Sequence, residues 1–127
     1  VRWPFMVPFL ARESETASPA RAEAIDIVFQ AFNRYLGVAV GEHLGYLLTG
    51  AWSVLVGAVV LSSGVLPAWI GLVGIVVGAV LALCSLEFVG PFEKNGWRLA
   101  GAVVPIAYIA WSAWLAVTGI LLIIAGV

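Results

Sequence analysis

Residues 44–86, LGYLLTGAWSVLVGAVVLSSGVLPAWIGLVGIVVGAVLALCSL, decide the fold because 43 consecutive residues carry no charged side chain. A membrane-spanning helix needs about 20 apolar residues to cross about 30 Å of hydrocarbon, so this stretch is long enough for two spans. The motif SSGVLP interrupts it at residues 62–67, and Pro67 cannot continue a helix from the preceding residues. The pattern therefore predicts helices over residues 44–63 and 68–87, joined by a tight turn.

A second uncharged stretch follows the short polar loop GPFEKNG at residues 90–96. It begins at Leu99 and continues for 29 residues to the end of the sequence. At about 1.5 Å per residue, such a helix is longer than the hydrocarbon layer is thick. We therefore predict a third helix over residues 98–127, divided at Pro105, with residues 106–127 crossing the membrane.

The overall composition agrees with this pattern. The chain has 127 residues, of which 63% are hydrophobic and 10% are charged, and its mean hydropathy is +1.10. Soluble domains carry about 25% charged residues, so a soluble enzyme domain is excluded, and the hydrophobic content also excludes disorder. One cysteine excludes a disulfide scaffold, and a net charge of −1 argues against a nucleic-acid partner. The prediction is an all-α integral membrane helical bundle with the lipid bilayer as its surroundings.

The N-terminal residues read differently from the spans. Residues 1–17 comprise an apolar segment with two prolines and a polar linker at 11–17, and we interpret the apolar part as an interfacial segment or the tail of an upstream helix. Residues 18–43 are predicted to form an amphipathic helix that starts with Ser18 as N-cap and Pro19 as first residue. This helix could dock a partner, but the pattern favours a helix that lies on the membrane or packs on the spans. Its apolar face comprises Ile25, Val28, Phe29, Phe32 and Leu36.

Glycines at four-residue spacing indicate where helices pack closely. Small residues at this spacing let helix backbones approach one another in lipid. We expect packing within the chain rather than specific dimerisation. The predicted packing residues are Gly37, Gly41, Gly45, Gly74 and Gly78.

Candidate ligand-binding residues gather at one end of the predicted bundle. Ionisable groups near membrane spans are candidates for function by default. A lipid or other hydrophobic molecule could bind here, and the spacing Ala39-x-x-x-His43 also occurs in antenna polypeptides that ligate bacteriochlorophyll. We assign no catalytic residue, metal site or required cofactor, because zinc needs three or four ligands and the chain has one histidine. The candidate residues are Glu42, His43, Tyr46, Glu87, Tyr108 and Trp111.

Two functions fit these observations. The first is a non-catalytic accessory or structural subunit of a larger membrane assembly, bound to other membrane subunits or to further copies of itself. The second is a small membrane enzyme or carrier for a lipid or other hydrophobic ligand, using the Glu/His cluster at one membrane interface. The uncharged spans disfavour a transporter.

The junction of the first two spans resembles a known family. The segments GEHLGY at residues 41–46 and LSSGVLPAWIGLVG at 61–74 are similar to the bacterial domain-of-unknown-function 4386 family of multi-spanning membrane proteins. The resemblance covers most of residues 40–127 and implies that the chain is the C-terminal half of a six-helix protein in the bacterial cytoplasmic membrane. It implies no activity.

The membrane orientation has two conflicting predictions. All six Lys and Arg residues lie in the N-terminal segment or in the region around the loop at residues 90–98. The positive-inside rule therefore places the N-terminal segment in the cytoplasm, together with that loop, which is predicted on the same side of the membrane. A six-helix family topology with both ends inside implies instead that the turn at Pro67 is cytoplasmic. We favour the positive-inside prediction.

Overall fold

The computed structural model describes residues 3–126, with the backbone alone described at Trp3 and Phe5. Over that range the regular structure is entirely helical, so the all-α prediction is confirmed. The predicted segments 1–17 and 98–127 each extend slightly beyond the described residues, by Val1 and Arg2 at the start and by Val127 at the end. The chain divides into two compact units, residues 1–41 and 42–127.

The first unit contains two helices, α1 (Trp3–Glu15) and α2 (Pro19–Phe32). The polar residues from 11 onward were expected to form a linker, but α1 continues through them to Glu15. Arginine and glutamate are good helix formers, which favours this continuation. An ion pair between Glu13 of α1 and Arg21 of α2 also joins the two helices.

The start of α2 lies where the sequence predicts it, with Ser18 at the N-cap and Pro19 as first residue. The Ser18 side chain makes no capping hydrogen bond, and its backbone oxygen accepts from Ala22 N at 2.9 Å. Within the predicted apolar face, Val28 and Phe32 are exposed. The predicted helix over residues 18–43 is α-helical only as far as Phe32, because a π-helical segment, Asn33–Leu44, follows α2.

The second unit contains three long helices, α3 (Gly45–Ser63), α4 (Ala68–Cys84) and α5 (Arg98–Ala125). The predicted helix over residues 68–87 is α-helical as far as Cys84 and continues as a 3₁₀ turn, Ser85–Phe88. Among the residues that the structure describes, three helical stretches are long and apolar enough to cross a membrane, as predicted. They are Pro19–Ser63, Ala68–Phe88 and Arg98–Ala125.

The predicted division of the third span at Pro105 is wrong, because α5 is one helix from Arg98 to Ala125. Proline removes one backbone hydrogen bond, and helices tolerate that loss where their surroundings hold them. Ala100 and Ala107, on either side of Pro105, are both buried. The helix is therefore packed against its surroundings on both sides of the proline.

Helix α4 lies at the centre of the second unit, with α3 and α5 both packed against it. The core between the three helices is small and is built around Trp114 of α5, which is 3% exposed. The other buried members of this core are Val60, Leu66 and Ile70. Because α4 supplies the common surface, the positions of α3 and α5 are set by their separate contacts with it.

Candidate functional site

The end of the second unit that holds the start of α3 and the end of α4 contains polar groups. We call Glu42, His43, Ser85 and Glu87 the polar end. His43 Nδ1 lies 2.7 Å from the backbone oxygen of Ser85, which joins two segments 42 residues apart. Since a carbonyl oxygen can only accept, Nδ1 donates, and Nε2 of the neutral ring is left as an acceptor.

The two carboxylates of the polar end lie in different surroundings. Glu42 Oε2 is buried and has no hydrogen-bond partner among the described residues. Glu87 lies against the first turns of α5, because a Cβ on Gly101 would be 2.7 Å from Glu87 Oε1. The Glu87 backbone oxygen accepts from Trp97 N at 2.7 Å, which fixes the loop before α5. The Glu42 and Glu87 carboxylates are close enough to interact electrostatically.

The structure also brings the predicted aromatic residues together beside the polar end. The Tyr46 and Tyr108 rings meet edge to face with their centroids 5.6 Å apart, and Tyr108 and Trp111 do the same at 6.0 Å. Tyr46 lies within electrostatic reach of the Glu42 and Glu87 carboxylates. Tyr46, Tyr108 and Trp111 therefore form a row of rings in the second unit, which we call the aromatic strip, and it lies beside Glu42 and Glu87 of the polar end.

An open groove lies farther along the same side of the unit. It has a volume of about 460 Å³. We call it the aromatic groove. Trp111 belongs both to this groove and to the aromatic strip, so the groove and the polar end are connected through one side chain. The groove is lined by Leu48, Thr49, Trp52, Trp111 and Leu115.

The sequence did not indicate the fully buried Ser53, which connects α3 to Trp111. Ser53 Oγ donates to Thr49 O at 2.7 Å and accepts from Trp111 Nε1 at 2.8 Å. Trp114 Nε1 similarly donates to the backbone oxygen of Ile70 at 2.9 Å. An uncharged serine inside an apolar stretch gives little sequence signal, because its role depends on which side chain lies opposite.

Two of the predicted packing glycines lie at tight contacts, although with different helices. A Cβ on Gly74 would be 2.5 Å from the Trp114 ring of α5. A Cβ on Gly78 would be 2.6 Å from the Gly50 backbone oxygen of α3. Although they are four residues apart, Gly74 therefore allows close packing with α5, and Gly78 allows close packing with α3.

Gly41 and Gly45 show no such tight contact with another helix among the described residues. A Cβ on Gly45 would meet no described atom within 4 Å, so the packing role of this glycine stays a prediction. A Cβ on Gly41 would meet only Leu36 O of its own segment, at 3.4 Å. Gly37 is half-buried in the π-helical segment. Sequence reasoning missed Gly50, Gly57 and Gly71, all of which lie at the α3–α4 contact.

The described residues contain no group of three or more His, Cys, Asp or Glu side chains placed to hold a metal ion. The polar end can instead accept hydrogen bonds through Glu42 Oε2 and His43 Nε2. Together with the aromatic groove, this arrangement could accommodate a molecule with one polar and one apolar part.

The family model of the domain of unknown function DUF4386 matches the chain over residues 1–126. The chain belongs to the DUF4386 family. The DUF4386 match extends through the N-terminal forty residues, beyond the part that carried the resemblance in sequence. No curated protein and no solved structure matches the chain. Membership of DUF4386 assigns no activity to the chain.

Proposed function

We propose that the chain is a multi-pass protein of the bacterial cytoplasmic membrane and a non-catalytic structural or accessory subunit of a larger membrane assembly. Three helices long and apolar enough to span a bilayer support the membrane placement. Membership of DUF4386 is compatible with it.

The observation that carries the structural role is the use of polar side chains inside the spans. Ser53, Trp111 and Trp114 each donate a hydrogen bond within the second unit, and two of these bonds join different helices. Thr118 Oγ1 donates to the backbone oxygen of Trp114 at 2.7 Å. A transport path or reaction site would direct such groups toward a ligand, whereas in a packing module they hold helices together.

A surface for other subunits is available on α5. One side of this helix is attached to α4 through Trp114, while isoleucine side chains elsewhere on it are strongly exposed. Exposed apolar side chains inside a bilayer contact either lipid or another helix. In this proposal part of that surface contacts another membrane subunit or a second copy of the chain. The exposed isoleucines are Ile106, Ile109, Ile120, Ile123 and Ile124.

Native mass spectrometry after gentle detergent extraction tests this role with two glycine variants. Gly74→Leu places a side chain where Trp114 packs, so we expect the assembled fraction to fall at least fivefold. Gly45→Leu is the matched control, because a Cβ there meets no described atom within 4 Å and the residue is not on α5. A chain that occurs alone in the wild type, or an unchanged assembly in Gly74→Leu, would contradict the structural role.

A second candidate function is a small enzyme or carrier for a hydrophobic ligand, and Glu42 is the observation that favours it. A buried carboxylate oxygen without a hydrogen-bond partner is unfavourable, so a ligand that donates a hydrogen bond there would be stabilised. Glu42→Gln separates the two functions in the same spectra. A structural subunit keeps its assembly in this variant, whereas a carrier loses a bound small molecule while remaining folded.

A further inference from the structure

The aromatic groove exists because α3 and α5 pack on α4 and not on each other. Within the described part of the chain, no Cα atom of α3 comes within 8 Å of a Cα atom of α5. Only long side chains bridge the gap, including the Tyr46–Tyr108 ring pair and the Trp52–Trp114 pair, whose centroids lie 6.2 Å apart. The groove is therefore a consequence of helix placement and not of one loosely packed side chain.

The side chains around the groove are held in place by contacts elsewhere in the protein. The Trp111 indole donates to Ser53, which is fully buried, and the Trp114 indole donates to the backbone of α4. Trp52 is in turn packed edge to face on Trp114. These contacts hold the rings at the edge of the groove and leave its volume open. A ligand would find the groove already formed and would not need to order it.

The chemistry of the lining determines which occupant fits. The groove presents two leucines and two indole rings, and Thr49 supplies the one side-chain oxygen among its five lining residues. The single donor of Trp111 is already used by Ser53. Thr49 Oγ1 and Trp52 Nε1 are the remaining side-chain groups of this lining that can form hydrogen bonds, so a charged or strongly polar molecule would lose its hydration and gain few partners. The lining therefore favours a hydrocarbon as the occupant.

The position of the groove also limits which hydrophobic molecule can occupy it. All five lining residues belong to the uncharged stretches 44–86 and 99–127, which places the groove at the depth of the hydrocarbon layer. A partner helix is about 10–12 Å across with its side chains. The groove, with a volume of about 460 Å³, is too small to take in such a helix between α3 and α5. A single lipid chain is narrow enough and is the abundant neighbour at that depth.

We propose that the aromatic groove binds one hydrocarbon chain of a bilayer lipid, which the protein retains as a bound lipid after extraction from the membrane. The chain lies between α3 and α5 against Trp52 and Trp111. This lipid site goes beyond the structural role proposed above, because a structural role alone does not require a bound lipid at a particular place in the bundle.

The test uses the full chain extracted in mild detergent supplemented with dioleoyl phosphatidylglycerol, with native mass spectrometry to measure the fraction carrying one retained lipid. Thr49→Phe fills the groove, so the lipid-bound fraction should fall at least tenfold. Val59→Phe is the matched control, because it adds the same ring at an exposed position of α3 that does not line the groove. This control should retain lipid as the wild type does.

Two results would overturn the proposal. One is equal lipid retention by Thr49→Phe and the wild type, which would mean that lipid binds elsewhere on the surface. The other is a wild-type protein that retains no lipid under these conditions. Circular dichroism and gel filtration check that each variant is folded. If Thr49→Phe does not fold, Leu115→Trp fills the groove from α5 and takes its place.

Discussion

Single glycines determine how closely α3 and α4 approach. A Cβ on Gly57 would lie 2.6 Å from the Gly71 backbone oxygen, and the reverse distance is 2.7 Å. Gly50 and Gly78 form a second reciprocal pair, at 2.5 and 2.6 Å. The first pair lies seven residues on either side of Gly64, and the second pair fourteen. Since seven residues make about two helical turns, both pairs fall on the same face of the hairpin.

This arrangement predicts opposite effects for the same substitution at two glycines of α3. Gly57→Ala would place its methyl group against rigid backbone, so we expect a loss of about 1–3 kcal/mol in the free energy of unfolding, as for other overpacked cores. Gly45→Ala has open space around it and should be neutral, or more stable by about 0.5–1 kcal/mol through its better helix propensity. Thermal unfolding in detergent measures both. Equal shifts in the two variants would refute the reciprocal contact.

At the scale of elements, the α3–α4 hairpin depends on its short connection. Gly64 ends α3 in the left-handed conformation with φ of 66°, and Pro67 precedes the first residue of α4. Leu66 is buried in the core between them, and Ile70 N donates to Pro67 O at 3.0 Å. The turn therefore fixes the register in which the glycine pairs meet.

Replacing Gly64 should destabilise the hairpin without adding any side-chain clash. A Cβ there would meet no described atom within 4 Å, so the cost of Gly64→Ala is conformational, about 1–2 kcal/mol for a left-handed residue. Ser62→Ala is the control, because this exposed side chain bonds only to a carbonyl of its own helix and should change stability by less than about 0.5 kcal/mol. Thermal unfolding in detergent measures the stability of both variants. Similar losses of stability in Gly64→Ala and Ser62→Ala would contradict a conformational role for Gly64.

The elements also differ in how far the sequence predicted them. The lack of charge over residues 44–86 and the SSGVLP motif predicted α3, α4 and their turn to within a few residues, because apolar length and turn residues are local signals. The uninterrupted helix through Pro105 was not predictable in that way. Its continuity depends on the burial of Ala100 and Ala107, which is a property of the packed bundle.

At the scale of the whole molecule, charge predicts how the proposed membrane protein is oriented. Lys94 and Arg98 lie in or beside the loop between α4 and α5, while the turn at residues 64–67 carries no charge. The positive-inside rule therefore favours a cytoplasmic loop and a turn on the opposite side. The alternative six-helix topology implies a cytoplasmic turn.

Cysteine labelling decides between these orientations. In a Cys84→Ala background, Asn95→Cys should react with an impermeant maleimide only after the cells are opened, whereas Ser63→Cys should react in spheroplasts whose membrane is intact. The reverse pattern would establish the orientation implied by the six-helix topology. Labelling at both positions after detergent treatment controls for thiols that are simply inaccessible.

The sequence by itself determined the all-α class, the number of long apolar helices and the turn between α3 and α4. These properties follow from composition and from the local preferences of glycine and proline. Only the tertiary structure decided that Gly74 faces Trp114 while Gly78 faces Gly50, and that Ser53 holds Trp111 beside an open groove. Those contacts join residues distant in sequence. They depend on how α3 and α5 are placed on α4, and helical periodicity alone does not specify that placement.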